Sequence, residues 1–357
     1  MGNFGLTQFR KVEKVEVKID YIENILVGHD RYSINSAYKL LSANPELKLI
    51  VIREESSDLF NDDLTTVRGD ENIKLVQDIE LNTKEKEDSV FFKDLKFHSF
   101  KKRTKSEKLI SSEPFFTQAA LEVTDEIFTH TWQDLLNTYP QVKFIDVPVE
   151  KIISQEPSDL INQDFYKIEL TNHQILSCKN LIWGHSPYAF LNKLSNKETL
   201  TDEFMSFCEL TKGPTRLSVK LTLKEKSEAY SGKTLFIPLS YTHDWGHFIG
   251  EFLSETEVLF VHYQGEETLT KEDVEKRIRL FKRQLDKAFS KFSENILESK
   301  VKYEEESASL NIDDNIEIDK MPANLQFVGE NSFLQNNTLS KVSNFTRGYL
   351  SIQNLTV

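Results

Sequence analysis

The sequence predicts an α/β fold in which a nucleotide-binding-type, Rossmann-like domain with a parallel central sheet is interleaved with a smaller antiparallel α+β lobe. Three observations lead there. Residues 24–55 read as strand, tight turn, helix and strand, which is a βαβ unit. Near-continuous apolar runs return at 180–187 and 324–332, as in strands buried on both faces. Between them, 189–319 carries regularly spaced alternating strands and one amphipathic helix.

The opening stretch, ILVGHDRYSINSAYKLL (25–41), sets Ile25, Leu26 and Val27 in a strand that runs into Gly28 and a polar turn. A helix over 34–43 then carries Ile34, Ala37, Leu40 and Leu41 on one face. Pro45 ends it, and LKLIVIREE (47–55) supplies the neighbouring strand. From 60 to 111 the chain turns polar, and IKLVQDIEL and SVFFKDLKF alternate as the one-sided strands of a variable insertion. A helix is expected from about Thr117 to Thr138, with Leu121, Ile127, Phe128, Trp132 and Leu135 as its buried stripe. VKFIDVPVEKII (142–153) and FYKIELTN (165–172) read as a hairpin pair, and NLIWGHSP (180–187) as a return to the parallel sheet.

RLSVKLTL, KTLFIPLSY, HFIGEFL and EVLFVHYQG are the strands of the second lobe, and 271–292 is a helix with Thr270 as its N-cap. NLQFVGENS (324–332) adds one more buried strand and a turn before a closing helix from about Thr338. On this reading 20–60, 140–188 and 320–357 form a discontinuous nucleotide-type domain. Residues 61–139 are a variable insertion and helix, and 189–319 the α+β lobe.

Composition narrows the function classes. With 57 acidic and 44 basic residues the net charge is −13, which repels phosphate backbones, so no nucleic-acid partner is expected. The basic stretch from Lys93 to Lys108, interleaved with Phe97 and Phe100, is the local exception. Cys178 and Cys208 lack CxxC spacing and sit in apolar surroundings, which suits buried thiols in a reducing compartment. No stretch has the roughly 18 apolar residues of a membrane span and the N-terminus has no signal core, so the expectation is a cytoplasmic protein. His243 and His247, with His262 nearby, have spacing too weak for a metal site, and none is expected.

The order of four segments resembles the flavin-containing amine oxidase superfamily, which includes amine oxidases, protoporphyrinogen oxidase and phytoene desaturases. ILVGHDRYSINSAYKLLSANPELKLIVIREESSDLF is similar to its opening strand, glycine turn, helix and acid-terminated strand. VKFIDVPVEKI resembles its Val-x-x-Ile strand, through Val149 and Ile152. KNLIWGHSPYAFLNKL resembles the strand and small-residue turn beneath the flavin. NLQFVGENS with the residues from 336 onward resembles the final strand, Gly-acid turn and helix.

The resemblance implies an FAD/NAD(P)-binding Rossmann-like domain, FAD as cofactor and a substrate-type lobe. It places Glu54 on the adenosine ribose and Gly329-Glu330 at the ribityl chain. Gly28, Asp30 and Ser33 occupy its three glycine positions, which serve the tight turn, the pyrophosphate and the helix–strand contact. Asp30 sets a negative charge where two phosphate charges would rest, costing about 1 kcal/mol in water and several times more in a partly dry site. Arg31 offsets it either by pairing with Asp30 or by meeting a phosphate itself. Asp58, Phe60 and Asn61 replace an arginine and two glycines, and Lys341 and Thr346 replace small residues near the flavin ring.

The first functional reading is therefore a degenerate relative with lost or weakened FAD binding, acting as a binding or regulatory protein. A working FAD oxidoreductase is the second. A structural or assembly partner using the Phe-rich basic insertion at 91–108 is the third. No catalytic residue is assigned; a small-molecule ligand in a vestigial flavin cleft and a protein partner both stay open. If the resemblance holds, 25–28, 49–53, 181–184 and 325–328 must lie in one sheet, with Gly28 facing Gly329 across its carboxyl edge.

Overall fold

The computed structural model describes residues 20–53, 66–78, 80–86, 89–100, 119–123, 130–155, 165–213, 215–226, 232–240, 245–264, 269–289, 292–304, 322, 324–329, 352 and 355. In chain order, β1 (Asp20–Val27), α1 (Arg31–Ala43) and β2 (Leu49–Ile52) come first. They lead to β3 (Thr66–Arg68), α2 (Asp70–Asp78), β4 (Thr83–Glu85), β5 (Val90–Lys93), β6 (Lys96–Ser99), β7 (Ala120–Val123) and α3 (Trp132–Thr138). Next are β8 (Lys143–Ile145), β9 (Val149–Gln155), β10 (Phe165–Leu170), β11 (Ile175–Trp183), α4 (Pro187–Lys193) and α5 (Asp202–Leu210). The last group is β12 (Thr215–Leu223), β13 (Leu235–Pro238), β14 (His247–Phe252), β15 (Glu257–Gln264), α6 (Lys271–Ala288), α7 (Phe292–Asn295), β16 (Ile296–Glu304) and β17 (Leu325–Phe327).

The first sheet runs β8-β2-β1-β11-β10-β9, with β17 also on β11. β8, β2, β1, β11 and β17 are parallel, while β10 and β9 pair antiparallel. The four strands from the two ends and the middle of the chain thus share one sheet, in register Ile50, Ile25, Leu181, Leu325. Alternation along each strand explains why these runs are apolar throughout. Ile25, Val27, Ile52, Trp183 and Phe327 face α4 and α5, where Phe190, Phe204 and Phe207 pack. Leu26, Val51 and Ile182 face α1 and α3, meeting Ile34, Leu41 and Leu135. Strands covered on both faces have no solvent side to make polar.

The second sheet runs β16-β12-β15-β14-β13-β5-β6, with Phe281 and Leu285 of α6 buried against it. β5 and β6 form a hairpin whose turn residues Asp94 and Leu95 have φ of 49° and 60°, the twist that suits a two-residue connection. Their strand pairing brings part of the 61–139 stretch into this sheet, because β5 lies parallel to β13. Phe91, Phe92 and Phe100 are buried there and belong to the core of this sheet.

Two expected elements differ. IKLVQDIEL does not form a strand: its first six residues are the end of α2, which turns Val76 onto Val67 and Val123. An Ile-Leu-Val sequence satisfies either period over so short a span, and tertiary packing decides. The long helix over 117–138 is also absent as such. Ala120–Val123 is the central strand between β3 and β4. The helix starts only at Trp132, where Thr131 and Asp134 form a reciprocal capping box. α6 opens at its Thr270 cap as expected, with the same box through Asp273, and ends at Ala288 rather than 292. Of the closing stretch from Thr338 only Ile352 and Leu355 are described, both buried, with the Ile352 carbonyl accepting from Lys39 Nζ at 2.7 Å; Glu54, Asp58, Phe60, Asn61, His243, Glu330, Lys341 and Thr346 lie outside the described residues.

Candidate functional site

The carboxyl edge of the parallel strands is built by three glycines. Gly28 N–H donates to the Ile52 carbonyl (2.9 Å), Gly184 N–H to the Val27 carbonyl (2.7 Å), and Val328 N–H to the Trp183 carbonyl (3.0 Å). The chain ends there as Gly28-His29, Gly184-His185 and Val328-Gly329. Gly329 takes φ +102°, and a Cβ on it would lie 3.6 Å from Asp30 Oδ2 and 3.7 Å from the Gly184 carbonyl. Gly28, Gly184 and Gly329 therefore converge on the N-terminus of α1, where open α/β sheets take their ligands.

That helix terminus is closed from within. Asp30 is its N-cap: Oδ1 accepts from the Ser33 backbone N–H at 2.7 Å and from the Ser33 hydroxyl at 2.6 Å. Helix propensity explains the arrangement, since Asp is a preferred cap and its charge complements the dipole. α1 accordingly starts three residues earlier than the apolar pattern suggests. The Ser33 hydroxyl also fills the glycine junction, lying 2.2 Å from where a Gly28 Cβ would be and 2.4 Å from a Gly184 Cβ.

Arg31 is buried and donates from Nη2 to the Tyr32 hydroxyl at 2.9 Å. No ion pair joins it to Asp30, so the offsetting salt bridge considered from the sequence is not made.

Sequence reading placed turns at Gly28, at Gly184 to Pro187 and at Gly329, but missed the two histidines that follow Gly28 and Gly184. His29 and His185 have ring centroids 5.8 Å apart. The signal was present in the repeated Gly-His pair at the ends of two apolar runs. Ser186 then caps α4 through its hydroxyl on Ala189 N–H, with Pro187 at the first helical position. Val149 is not brought to this edge. It begins β9, buried under α4, and pairs with Leu170 near the amino end of β11. Its carbonyl accepts from Lys193 Nζ at 2.7 Å.

Other titratable groups are positioned by burial. Burial raises the Cys178 thiol, and it pushes Cys208 up to about 12 with Glu209 adding to the effect; both are free thiols. Such thiols are inert nucleophiles. His262 contacts the His247 carbonyl through Nδ1 at 2.7 Å, and the His247 ring stacks on Phe236 at 4.1 Å. Among the described residues, ligand atoms of Glu150, Glu169 and His173 come within 4.8 Å of one another, a surface grouping that the sequence spacing does not reveal. A cleft of about 1290 Å³ opens at the opposite, amino end of the parallel strands, beside Glu23, Lys48, Lys143 and Lys179. No helix among the described residues is long and apolar enough to cross a membrane.

Burial holds the His247 imidazole down at about 4, with His262 adding to it. Because the folded value lies below the ordinary 6.5, the unfolded chain takes up the proton first as pH falls. Stability is full above the unfolded value and is lost between it and the folded one, by about 2 kcal/mol after allowance for partial exposure. In His247→Phe, which keeps a ring against Phe236, urea unfolding across that window is expected to lose this slope. An unchanged slope would mean that His247 does not carry it.

The architecture is an α/β fold with a parallel-stranded sheet and a second, mostly antiparallel sheet, and it is shared with solved oxidoreductase structures. No family model and no curated protein matches the chain. Among solved structures, wild-type putrescine oxidase bound to putrescine superimposes over 94% of this chain and 99% of its own, at 8% identity and a TM-score of 0.52. An oxidoreductase from Methanosarcina mazei does so over 94% and 100%, at 10% identity and a TM-score of 0.50. At these identities the likeness is one of fold.

Proposed function

We propose that this chain is a degenerate relative of flavin amine oxidoreductases in which FAD binding is lost or weakened, and that it serves as a non-catalytic binding or regulatory protein. The observation that carries this reading is the Asp30 carboxylate on the N-terminus of α1, hydrogen-bonded to Ser33. A pyrophosphate would need those backbone donors and would meet a fixed like charge at hydrogen-bonding range. The residues present thus fit that group poorly, and no reaction step is assigned to it. Fold and activity separate readily, since a fold persists on its apolar strands while a site depends on a few polar ones.

The protein is expected to purify without the yellow absorption of bound flavin; a stoichiometric flavin spectrum would overturn the reading in favour of a working oxidoreductase. Asp30→Gly combined with Ser33→Gly is expected to raise FAD affinity more than either change alone, by about tenfold or more, or 1.4 kcal/mol. The two side chains hydrogen-bond each other, so their effects couple. Fluorescence-quenching titration reads this directly. Equal, undetectable binding in wild type and double variant would move the obstacle to Phe60 and Asn61.

A further inference from the structure

The parallel strands of the first sheet do not start level. β1 begins at Asp20 and β11 at Ile175, but β2 enters only at Leu49, opposite Asn24, and β8 only at Lys143, opposite Ile50. The amino edge of the sheet is therefore a staircase descending from β1 to β8. Ile22 and Glu23 stand above the first rung of β2, with β11 on one side and, among the described residues, no strand on the other. The cleft of about 1290 Å³ fills this step. Its corner is fixed by Asn24, which is fully buried, accepts from Asn180 Nδ2 at 2.8 Å and donates to the Lys48 carbonyl at 3.4 Å. On the β8 side Gln141 Nε2 donates to the Pro45 carbonyl at 2.6 Å. The cleft is thus built into the strand stagger.

Its lining combines two chemistries. Leu49, Ile50 and Leu176 are buried and form the floor, while Ile22, Phe144 and Ile145 are only half-buried and present carbon to the cavity. Around them stand Lys48, Lys143 and Lys179 against a single acid, Glu23. Glu23 and Lys179 both lie between the paired residues Ile22–Cys178 and Asn24–Asn180, yet no ion pair joins them. Among the described residues none of the three lysines is ion-paired. In a chain of net charge −13, three uncompensated cations around one apolar cavity make a local reversal of the field.

We propose that this cleft binds a soluble amphipathic anion, an alkyl or acyl chain with a carboxylate head. The chain lies along Ile22, Ile50 and Ile145, and the head sits among the three ammonium groups. An apolar lining with a few convergent polar groups is the usual make-up of a small-molecule site. A carboxylate drawn toward such a lining needs opposite charge beside it, and lysine stems can lie along apolar surface while their heads reach the ligand. A membrane bearing the same head is disfavoured, because an anionic surface meets the charge of the whole chain whereas a free ligand meets the local field. The cleft lies at the opposite end of the strands from Gly28, Gly184 and Gly329, so it stands whether or not FAD is bound.

Isothermal titration of the full chain with decanoate is expected to give a Kd of about 100 μM. Decanol, which keeps the chain without the charge, and acetate, which keeps the charge without the chain, are each expected to bind about tenfold more weakly or worse. Lys48→Gln combined with Lys143→Gln and Lys179→Gln is expected to weaken decanoate by about tenfold or more while leaving decanol affinity and the melting temperature unchanged. That split separates a lost head contact from a damaged fold. Added salt is expected to weaken decanoate and spare decanol, since it screens only the charged head. No decanoate binding at about millimolar concentration overturns the proposal. So does equal affinity for decanol and decanoate, or unaltered decanoate binding in the triple-glutamine variant. Capture on phosphatidylglycerol vesicles in place of free decanoate overturns it too.

Discussion

Glu251→Ala is expected to lower the stability of the folded chain by about 3–5 kcal/mol, because it leaves buried cations without their counter-charge. Glu251 lies on β14 at 2% exposure. Its Oε1 accepts from the hydroxyls of Thr66 (2.6 Å) and Thr234 (2.9 Å), and its Oε2 lies 3.2 Å from Lys86 Nζ. Arg68 donates to Thr234 Oγ1 at 2.6 Å; burial pushes its guanidinium below the usual value, and the charge of Glu251 opposes that shift. Lys86 reaches Glu122 only at 3.9 Å, too long to replace Glu251. The network ties the three-stranded sheet β3-β7-β4 to the second sheet. Glu251→Gln keeps an acceptor for both threonines and removes the charge, so its loss is expected to be about half as large. Urea unfolding followed by tryptophan fluorescence measures both. A loss below about 1 kcal/mol for the alanine variant would mean that water or relaxation compensates the cations.

None of that network is legible in the sequence, where Thr66, Arg68, Lys86, Thr234 and Glu251 read as ordinary polar positions of alternating strands. Their burial arises from a sheet-to-sheet contact that no local pattern encodes. The parallel sheet is legible for the opposite reason. Ile25 to Val27, Ile50 to Ile52, Leu181 to Trp183 and Leu325 to Phe327 are apolar at consecutive positions, which only strands covered on both faces can be. Thr270 marks the start of α6 in the sequence, whereas the helix expected over 117–138 begins only at Trp132, after the cap that Thr131 forms with Asp134.

The site shows the same division. Gly28 and Gly329 stand out as turn residues. Asp30, measured against a glycine template, reads as an intruder in a phosphate site, although an Asp just ahead of a helix is also a cap signal. That second role is the one its hydrogen bonds to Ser33 display.

Gly28→Ala and Gly184→Ala are each expected to cost about 3 kcal/mol, and Ser33 separates the two cases. At Gly28 the added methyl meets the Ser33 hydroxyl at 2.2 Å, while the next contacts lie at 3.1 and 3.2 Å. Ser33→Ala removes the hydroxyl and loses its bond to Asp30, about 1 kcal/mol by itself. In that background Gly28→Ala is expected to recover about 1–2 kcal/mol, with the strain of φ +156° left over. At Gly184 the methyl also meets the Val27 carbonyl at 2.8 Å, which is backbone and cannot give way, so Ser33→Ala is expected to rescue it little. A double-mutant cycle on unfolding free energies reads the difference, and no coupling between Gly28→Ala and Ser33→Ala would show that the hydroxyl is not what constrains Gly28. The outcome bears on how a retained glycine is interpreted. If Ser33 accounts for Gly28, the glycine is required by the packing of α1 on its own strand, and its presence says nothing about a bound dinucleotide. The proposed loss of FAD binding then rests on Asp30, whose carboxylate caps the N-terminus of α1 through Ser33.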